Sequence, residues 1–278
     1  MNNFFKLLSF ELNRFIKLYI ALMITIIVIQ ITGTIVETKK YMVLVNNNVY
    51  KNGMSEQAFF EMYSPFNFIE VVYSLWILGP IALGVALLLI YVFFIWYRDW
   101  FAKNTFIYRL FMLPTSRMNI FFAKAVTIML TVLGLVGLQI VLLFIETKIV
   151  QWTIPKSFRI DVTISEITSG VYHLSYILPE SFTEFVIHYA LGFAFLVVIF
   201  TSILFERSFK LKGLLLGIVY VICMLGLFIL PFIIQLIIFD TFYLYPAEMF
   251  FVELFIWIFV IVCSLIISRY LLNHKVTV

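Results

Sequence analysis

The stretch VYSLWILGPIALGVALLLIYVFFIWY, residues 72–97, contains no charged side chain, and the nearest charges on either side are Glu70 and Arg98. A hydrocarbon core about 30 Å thick is crossed by about 20 helical residues. Backbone amides in lipid must be hydrogen-bonded internally, which favours a helix for a single apolar run. Residues 72–97 therefore predict a membrane-spanning helix.

Five other apolar runs of similar length occur, at 18–36, 125–145, 185–205, 213–239 and 249–268. Of the 278 residues, 64% are hydrophobic and 12% are charged, against roughly 45–50% and about 25% in an ordinary soluble domain. The alternating strands of about ten residues that are typical of a membrane β-barrel are not found. The sequence predicts an all-α polytopic membrane protein, a single transmembrane domain over 1–278 with six transmembrane helices.

The charges are distributed unevenly between the two sides of such a chain. The side with the N-terminus, residues 98–124, residues 206–212 and the C-terminal tail carries 13 of the 19 Lys and Arg residues but 3 of the 15 acids. Because excess Lys and Arg mark the cytoplasmic side, we expect both termini in the cytoplasm, outer loops at 37–71 and 146–184, and a multi-pass protein of a bacterial cytoplasmic membrane. The net charge of +4 then reflects topology and predicts no nucleic-acid partner.

Residues 1–17 predict an amphipathic interfacial helix. Apolar side chains recur at three- and four-residue spacing, at Phe4, Leu8, Leu12 and Phe15. The basic residues of the helix are favoured by the anionic inner surface of the membrane. Two interpretations stay open: the helix anchors the first span, or it braces a cytoplasmic partner.

Residues 98–124, here called the connecting segment, form the longest predicted cytoplasmic connection. Loops longer than about 12 residues usually have a structure or function of their own. The part FAKNTFIYRLFML, residues 101–113, contains good helix formers and no glycine, and it predicts a short helix. Pro114 is expected to end that helix.

The residues after Pro114 predict the start of the third span. Thr115 or Ser116 offers a hydroxyl that can cap the next helix, and Arg117 and Lys124 are expected to reach the inner membrane surface. The connecting segment then has two interpretations. It is a basic turn that satisfies the charge rule, or it is a docking element on which a soluble motor acts.

The sequence YRLFMLPTSRMNIFFAK, residues 108–124, has a Leu-Pro-x-Ser-Arg core followed by a lysine. It resembles the segment between spans two and three in permease subunits of the type 2 ATP-binding-cassette exporter family. The layout of the chain is also similar: an amphipathic N-terminal helix, six spans, both ends inside, and a short cytoplasmic turn between spans four and five.

This resemblance implies a coupling helix at roughly 104–113 that fits a cleft of a separate ATPase subunit. It also implies a second permease subunit, in a homodimer or heterodimer, with ATP and Mg²⁺ bound by the ATPase and no cofactor bound by this chain. The residues that the resemblance assigns to ATPase docking are Asn104, Tyr108, Arg109, Leu113, Pro114, Ser116 and Arg117.

Catalytic motifs are missing from the sequence. It has no G-x-x-x-x-G-K-[ST] phosphate cradle, no H-E-x-x-H and no G-x-S-x-G. The three histidines are scattered, and Cys223 and Cys263 lie within predicted spans as small apolar residues. We expect no catalytic residue and no metal site, and therefore a transporter subunit that is not itself an enzyme.

A few residues in the predicted spans stand out. Glu184 and His188 share a helical face, and with Glu253 they form either a polar site at the outer mouth or a solvated interfacial group. Gly213 and Gly217 form a small-xxx-small pair that permits close helix packing, within the subunit or at a dimer interface.

An apolar interior suits an apolar or amphipathic cargo. The expected function is export of such a cargo, a peptide toxin or antimicrobial, across a membrane whose lipid surrounds the chain. The alternatives are a lipid-type cargo and a membrane scaffold or sensor subunit that transports nothing.

Overall fold

The structure, a computed structural model, describes residues 2–101, 106–237 and 245–276. The helices within these residues are α1 (Asn2–Val45), α2 (Glu56–Met62), α3 (Phe68–Val72), α4 (Leu75–Phe101), α5 (Phe106–Phe111), α6 (Arg117–Thr153), α7 (Ile164–Gly170), α8 (Tyr172–Ile177), α9 (Phe182–Ile237) and α10 (Pro246–Tyr270). Two short strands, β1 (Phe66–Asn67) and β2 (Arg159–Ile160), pair in parallel. Within the described residues, α1, α4, α6, α9 and α10 are long and apolar enough to cross a membrane, which agrees with the predicted helical membrane protein.

Two helices extend well beyond the ends that the sequence predicts. Helix α1 passes position 36 to Val45 and continues as a π-helical turn to Lys51, ahead of Gly53 at φ 69°. Helix α6 passes position 145 and ends at Thr153, two residues before Pro155, because a proline disfavours helical backbone in the residue before it. Both segments predicted as outer loops therefore begin as helix.

The predicted span 185–205 and residues 213–237 of the predicted span 213–239 lie in the single segment α9, and the last two residues of the second span lie outside the described residues. The backbone of α9 leaves helical geometry at Lys210, with φ 54° and ψ −129°. Aromatic rings pair across this break, Phe195 with Phe228 and Phe205 with Tyr220, each at 5.5 Å between centroids. Phe205 and Tyr220 are the pair nearer the break, and Phe195 and Phe228 are the pair farther from it. The two halves of α9 therefore pack antiparallel.

Glycines permit the close approach of these two halves. A Cβ atom on Gly213 would overlap the carbonyl oxygen of Phe205 and would lie 2.9 Å from the Cα of Glu206. A Cβ atom on Gly217 would lie 2.7 Å from the hydroxyl of Ser202. The small-residue pair thus serves packing within the chain at this turn.

By their contacts the residues form two units, one of 1–12, 89–129 and 187–278 and the other of 13–88 and 130–186. In the first unit the two halves of α9 pack with α10 through an apolar cluster that includes Ala194, Val198, Tyr220, Phe228 and Val260. Hydroxyl groups add hydrogen bonds there, between Thr201 and Ser268 at 2.8 Å and between Tyr220 and Ser264 at 2.5 Å.

In the second unit, α1 and α6 run in the same direction. The Tyr19 hydroxyl donates to the carbonyl of Thr131 at 2.9 Å, and eleven residues further along α1 the Gln30 amide donates to Gln139 at 3.0 Å. Leucine and isoleucine side chains of both helices, among them Leu22, Ile26 and Leu142, form one apolar cluster. At one end of this unit, β1 pairs with β2 beside a cluster of aromatic rings formed by Tyr41, Phe59, Phe66 and Phe158.

Candidate functional site

Helix α5 lies within the connecting segment and has one buried face. Ile107 and Leu110 are buried on that face, and the ring of Phe106 stacks on Phe10 at 5.6 Å between centroids. The buried neighbours in this apolar cluster are Leu7, Ile120 and Ala123. Helix α5 is therefore held against the first turns of α1 and α6.

The other face of α5 is accessible. Tyr108 is 43% exposed and Met112, just after the helix, is 85% exposed, and Arg109 is exposed as well. Asn104, predicted as the first residue of the docking set, lies outside the described residues. Tyr108 and Arg109 thus stand on a surface that a partner can reach, and their role in docking stays a prediction.

The turn after α5 follows the chemistry that the sequence predicts. Leu113 and Pro114 are exposed, and no helix continues through them. The Ser116 hydroxyl accepts a hydrogen bond at 3.3 Å from the backbone N–H of Met118, so Ser116 is the residue that caps α6. Thr115 instead accepts from the side-chain amide of Asn119 at 2.7 Å.

Arg117, the first residue of α6, contacts the C-terminal part of the chain. Its guanidinium donates to the carbonyl oxygens of Leu272 and Val276, the latter at 3.4 Å, and lies 4.8 Å from the ring centroid of Phe111. Carbonyl groups at the end of a helix lack partners within the helix. Arg117 therefore ties the π-helical turn Leu271–Lys275 to the connecting segment.

We expect Arg117→Met to loosen this turn. Because the two hydrogen bonds to its carbonyls are lost, backbone amides at 271–276 should exchange with deuterium faster in the detergent-solubilised protein, as expected for a local opening. Lys275→Met is the matched control, since Lys275 lies in the same turn and is exposed. Unchanged exchange in Arg117→Met would show that other contacts hold the turn.

The base of the connecting segment contains a cluster of four charged side chains, three of them buried. Lys124 Nζ lies 2.7 Å from Glu11 Oε1 and also pairs with Asp99. Arg98 lies 2.7 Å from the other oxygen of Glu11. The side chains of Lys124 and Asp99 are 0% exposed and that of Glu11 is 3% exposed. The acids Glu11 and Asp99 are thus paired with the bases Arg98 and Lys124 in this cluster.

Lys124 uses all of its hydrogen-bonding capacity in this cluster. Its three N–H donors are matched by Glu11, Asp99 and the carbonyl oxygen of Ile95, the last at 2.9 Å. The ammonium also lies 5.3 Å from the ring centroid of Trp96. The sequence-based prediction that Lys124 reaches the membrane surface is wrong, because its partners are inside the protein.

This cluster joins three parts of the chain. Arg98 and Asp99 precede the residues of α5, Lys124 follows them, and Glu11 belongs to α1. Both ends of the connecting segment are therefore fastened to each other and to the N-terminal helix. Removing one partner of a buried ion pair lowers the stability of the folded protein strongly, because the other charge is then left buried without compensation.

The buried face of the N-terminal helix agrees with the predicted apolar stripe at Phe15 and differs from it at the positions before. Leu7 and Phe15 are the fully buried residues, Leu8 and Leu12 are half-buried, and Glu11 is buried on the same side as Leu7 and Phe15. An acid at four-residue spacing between two apolar residues was the signal in the sequence that could have revealed the cluster. This spacing indicates a buried ion pair only when the basic partner of Glu11 is known.

A second cationic side chain contacts the end of α4. The guanidinium of Arg207 lies 4.7 Å from the ring centroid of Tyr97, 4.9 Å from that of Phe101 and 5.5 Å from that of Trp100. The Tyr97 hydroxyl donates to Glu206. The turn of α9 near Lys210 is thereby linked to the start of the connecting segment through cation–π contacts.

The residues predicted for a polar outer-mouth site differ in burial. Glu184 is exposed and His188 is half-buried, one turn apart on α9. Glu253 on α10 is buried at 8% exposure, deeper than the hydrated position that the sequence predicts.

Comparisons with known proteins add no assignment. The chain matches no protein-family model, no curated protein and no solved structure.

Proposed function

We propose that this chain is the permease subunit of an ATP-binding-cassette exporter, with six membrane spans and with both termini and the connecting segment in the cytoplasm. The antiparallel halves of α9 support a count of six, because each half is apolar and the turn between them carries Arg207, Lys210 and Lys212. These basic residues favour a cytoplasmic position for that turn.

The observation that carries this function is the combination of an accessible helix face with a rigid base. Tyr108 and Arg109 are exposed on α5, while Ile107 and Leu110 hold the helix and the Lys124 cluster fastens both ends of the segment. A soluble motor can move membrane helices only through an element that is fixed to those helices and moves with them. ATP and Mg²⁺ belong to a separate ATPase subunit docked on this face.

The cargo is proposed to be amphipathic, a peptide toxin or antimicrobial, and a lipid-type cargo is the nearest alternative. Six spans form one half of the path, so a second permease subunit completes it. The exposed apolar side chains of the second half of α9 offer a surface for that subunit or for lipid, among them Leu215, Ile218 and Ile222.

A membrane scaffold or sensor subunit is the second candidate function. The same rigid base favours it, since a fastened α5 can hold a partner without transmitting any motion. The two functions differ in one property: a permease changes the ATPase rate of its partner, and a scaffold does not.

The deciding experiment is extraction of the tagged protein from its native membrane in a mild detergent, followed by mass spectrometry of the bound proteins. A co-purified subunit with a phosphate-binding loop, in near-equal amount and with an ATPase rate that depends on this chain, supports the permease. A bound subunit whose rate is independent of this chain supports the scaffold. No nucleotide-binding subunit at all contradicts the proposed function.

Arg109→Glu is expected to weaken binding of the ATPase subunit by about thirtyfold, because a central arginine at an interface typically contributes about 2 kcal/mol. Co-purification and the ATPase rate measure the effect. Lys17→Glu is the matched control, since Lys17 is an exposed base on α1 outside the connecting segment. If both variants bind equally well, α5 is not the docking helix.

A further inference from the structure

Glu146 is a buried carboxyl group that plays no part in the function proposed above. It lies on α6 and is 0% exposed, and among the residues that the structure describes neither of its oxygens has a hydrogen-bond donor. Moving an ionised carboxylate into such a place without a partner costs several kcal/mol. The carboxyl group therefore requires a positive charge close to it or a proton on it.

The helix register places other buried oxygen atoms at the height of Glu146. Gln30 on α1 is bonded to Gln139 on α6, and the two helices run in the same direction. Glu146 follows Gln139 by seven residues and Thr38 follows Gln30 by eight, so at about 1.5 Å per residue they lie at nearly the same height. Thr34 and Thr38 are both 0% exposed.

These hydroxyl groups donate their protons to backbone carbonyls of α1. Thr34 donates its proton to the carbonyl of Gln30 at 3.0 Å, and Thr38 donates to the carbonyl of Thr34 at 2.8 Å. Each oxygen keeps its lone pairs, and the side-chain oxygen of Gln30 also has no donor within the described part of the chain. The buried side-chain atoms of α1 and α6 that lack a hydrogen-bond partner in the described part of the chain include the oxygen of Gln30 and both oxygens of Glu146, together with one donor, the nitrogen of Gln139.

Nearby lysines on the same helices have other partners. Lys40 on α1 lies 3.9 Å from Glu37 and is 72% exposed, and both line a cleft of about 310 Å³ with Glu70. Lys148 on α6 is exposed and donates to Gln151 at 3.0 Å. The positive partner of Glu146 is therefore to be sought outside these side chains.

We propose that Glu146, level with the buried hydroxyls of Thr34 and Thr38, binds a small hard cation. Oxygen-only ligands favour hard cations over soft ones. Two species share this chemistry, a proton carried on the carboxyl group and Na⁺ held by its oxygens. The site lets the helix pair α1 and α6 take up or release one positive charge. The proposed ATP-driven function does not require such a site.

Infrared spectroscopy tests for the proton. The wild-type protein is expected to show the carbonyl band of a protonated carboxylic acid, and Glu146→Gln is expected to lose it. Glu146→Asp keeps the carboxyl group and should shift the band without removing it. Glu37→Gln, which changes a partly exposed carboxylate at a similar height, is the control and should retain the band.

Thermal unfolding in NaCl and in choline chloride at equal concentration tests for sodium. If Na⁺ is the ligand, NaCl raises the unfolding temperature of the wild type and of Glu37→Gln, because a ligand that binds only the folded state stabilises it. Glu146→Gln should lose that difference. A wild-type protein with neither a protonated-carboxyl band that depends on Glu146 nor a sodium-dependent unfolding temperature overturns the proposed site.

Discussion

Lys124→Met is expected to lower the free energy of unfolding by about 3–5 kcal/mol, the range for removing one member of a buried ion pair. The change leaves the buried carboxylates of Glu11 and Asp99 without the ammonium group that pairs with both of them. Methionine has a similar length and removes little apolar contact, so the loss comes from charge. Unfolding of the solubilised protein in mixed micelles with increasing SDS, followed by tryptophan fluorescence, measures it.

A double variant separates charge from packing. Asp99→Asn in the Lys124→Met background removes one of the two carboxylates and leaves Glu11 paired with Arg98 at 2.7 Å. We expect the double variant to recover part of the lost stability. Lys6→Met, an exposed lysine on α1, is the surface control and should change stability by less than about 0.5 kcal/mol. A Lys124→Met protein as stable as Lys6→Met would show that the cluster is not buried as described.

Gly213→Ala is expected to cost about 3 kcal/mol or more, the upper part of the range for forcing extra atoms into a packed site. The new methyl group would overlap the carbonyl oxygen of Phe205 and lie 2.7 Å from its carbonyl carbon. Both are backbone atoms next to the turn at Lys210, so no side-chain rotation can relieve the overlap. The two halves of α9 would have to move apart. The same SDS titration measures the resulting loss of stability.

Gly226→Ala is the matched control for this prediction. Gly226 also lies in α9, and an added Cβ atom there would have no neighbour within 4 Å. Its stability should change by less than about 1 kcal/mol, the scale of helix propensity between glycine and alanine. Equal effects at Gly213 and Gly226 would contradict the close antiparallel packing of α9.

The position of α5 illustrates how far local pattern reaches. Good helix formers before Pro114 predict a short helix and a stop, and the structure has α5 ending at Phe111 with Ser116 capping α6. These features depend on residues within a few positions of each other. The accessible face with Tyr108 and Arg109 was predicted from a resemblance, and their role in docking remains for experiment.

Lys124 and Glu146 show where local pattern fails. Both lie near the ends of an apolar run, where a charged side chain normally reaches water. Lys124 is buried because Glu11, 113 residues away, and Asp99 lie beside it. Glu146 is 0% exposed on α6, which continues to Thr153, past the end of the predicted apolar run.

The sequence by itself determined that the chain is helical and built for a membrane, because apolar runs of this length must satisfy their own backbone hydrogen bonds in lipid. It also predicted that a short helix stops before Pro114 and that the next helix begins after Thr115 or Ser116. Only the tertiary structure decided which charges are buried and paired, that Gly213 packs on the backbone of Phe205, and that Glu146 faces inward. Those properties depend on contacts between residues far apart in the chain, and a single sequence carries no direct signal of such contacts.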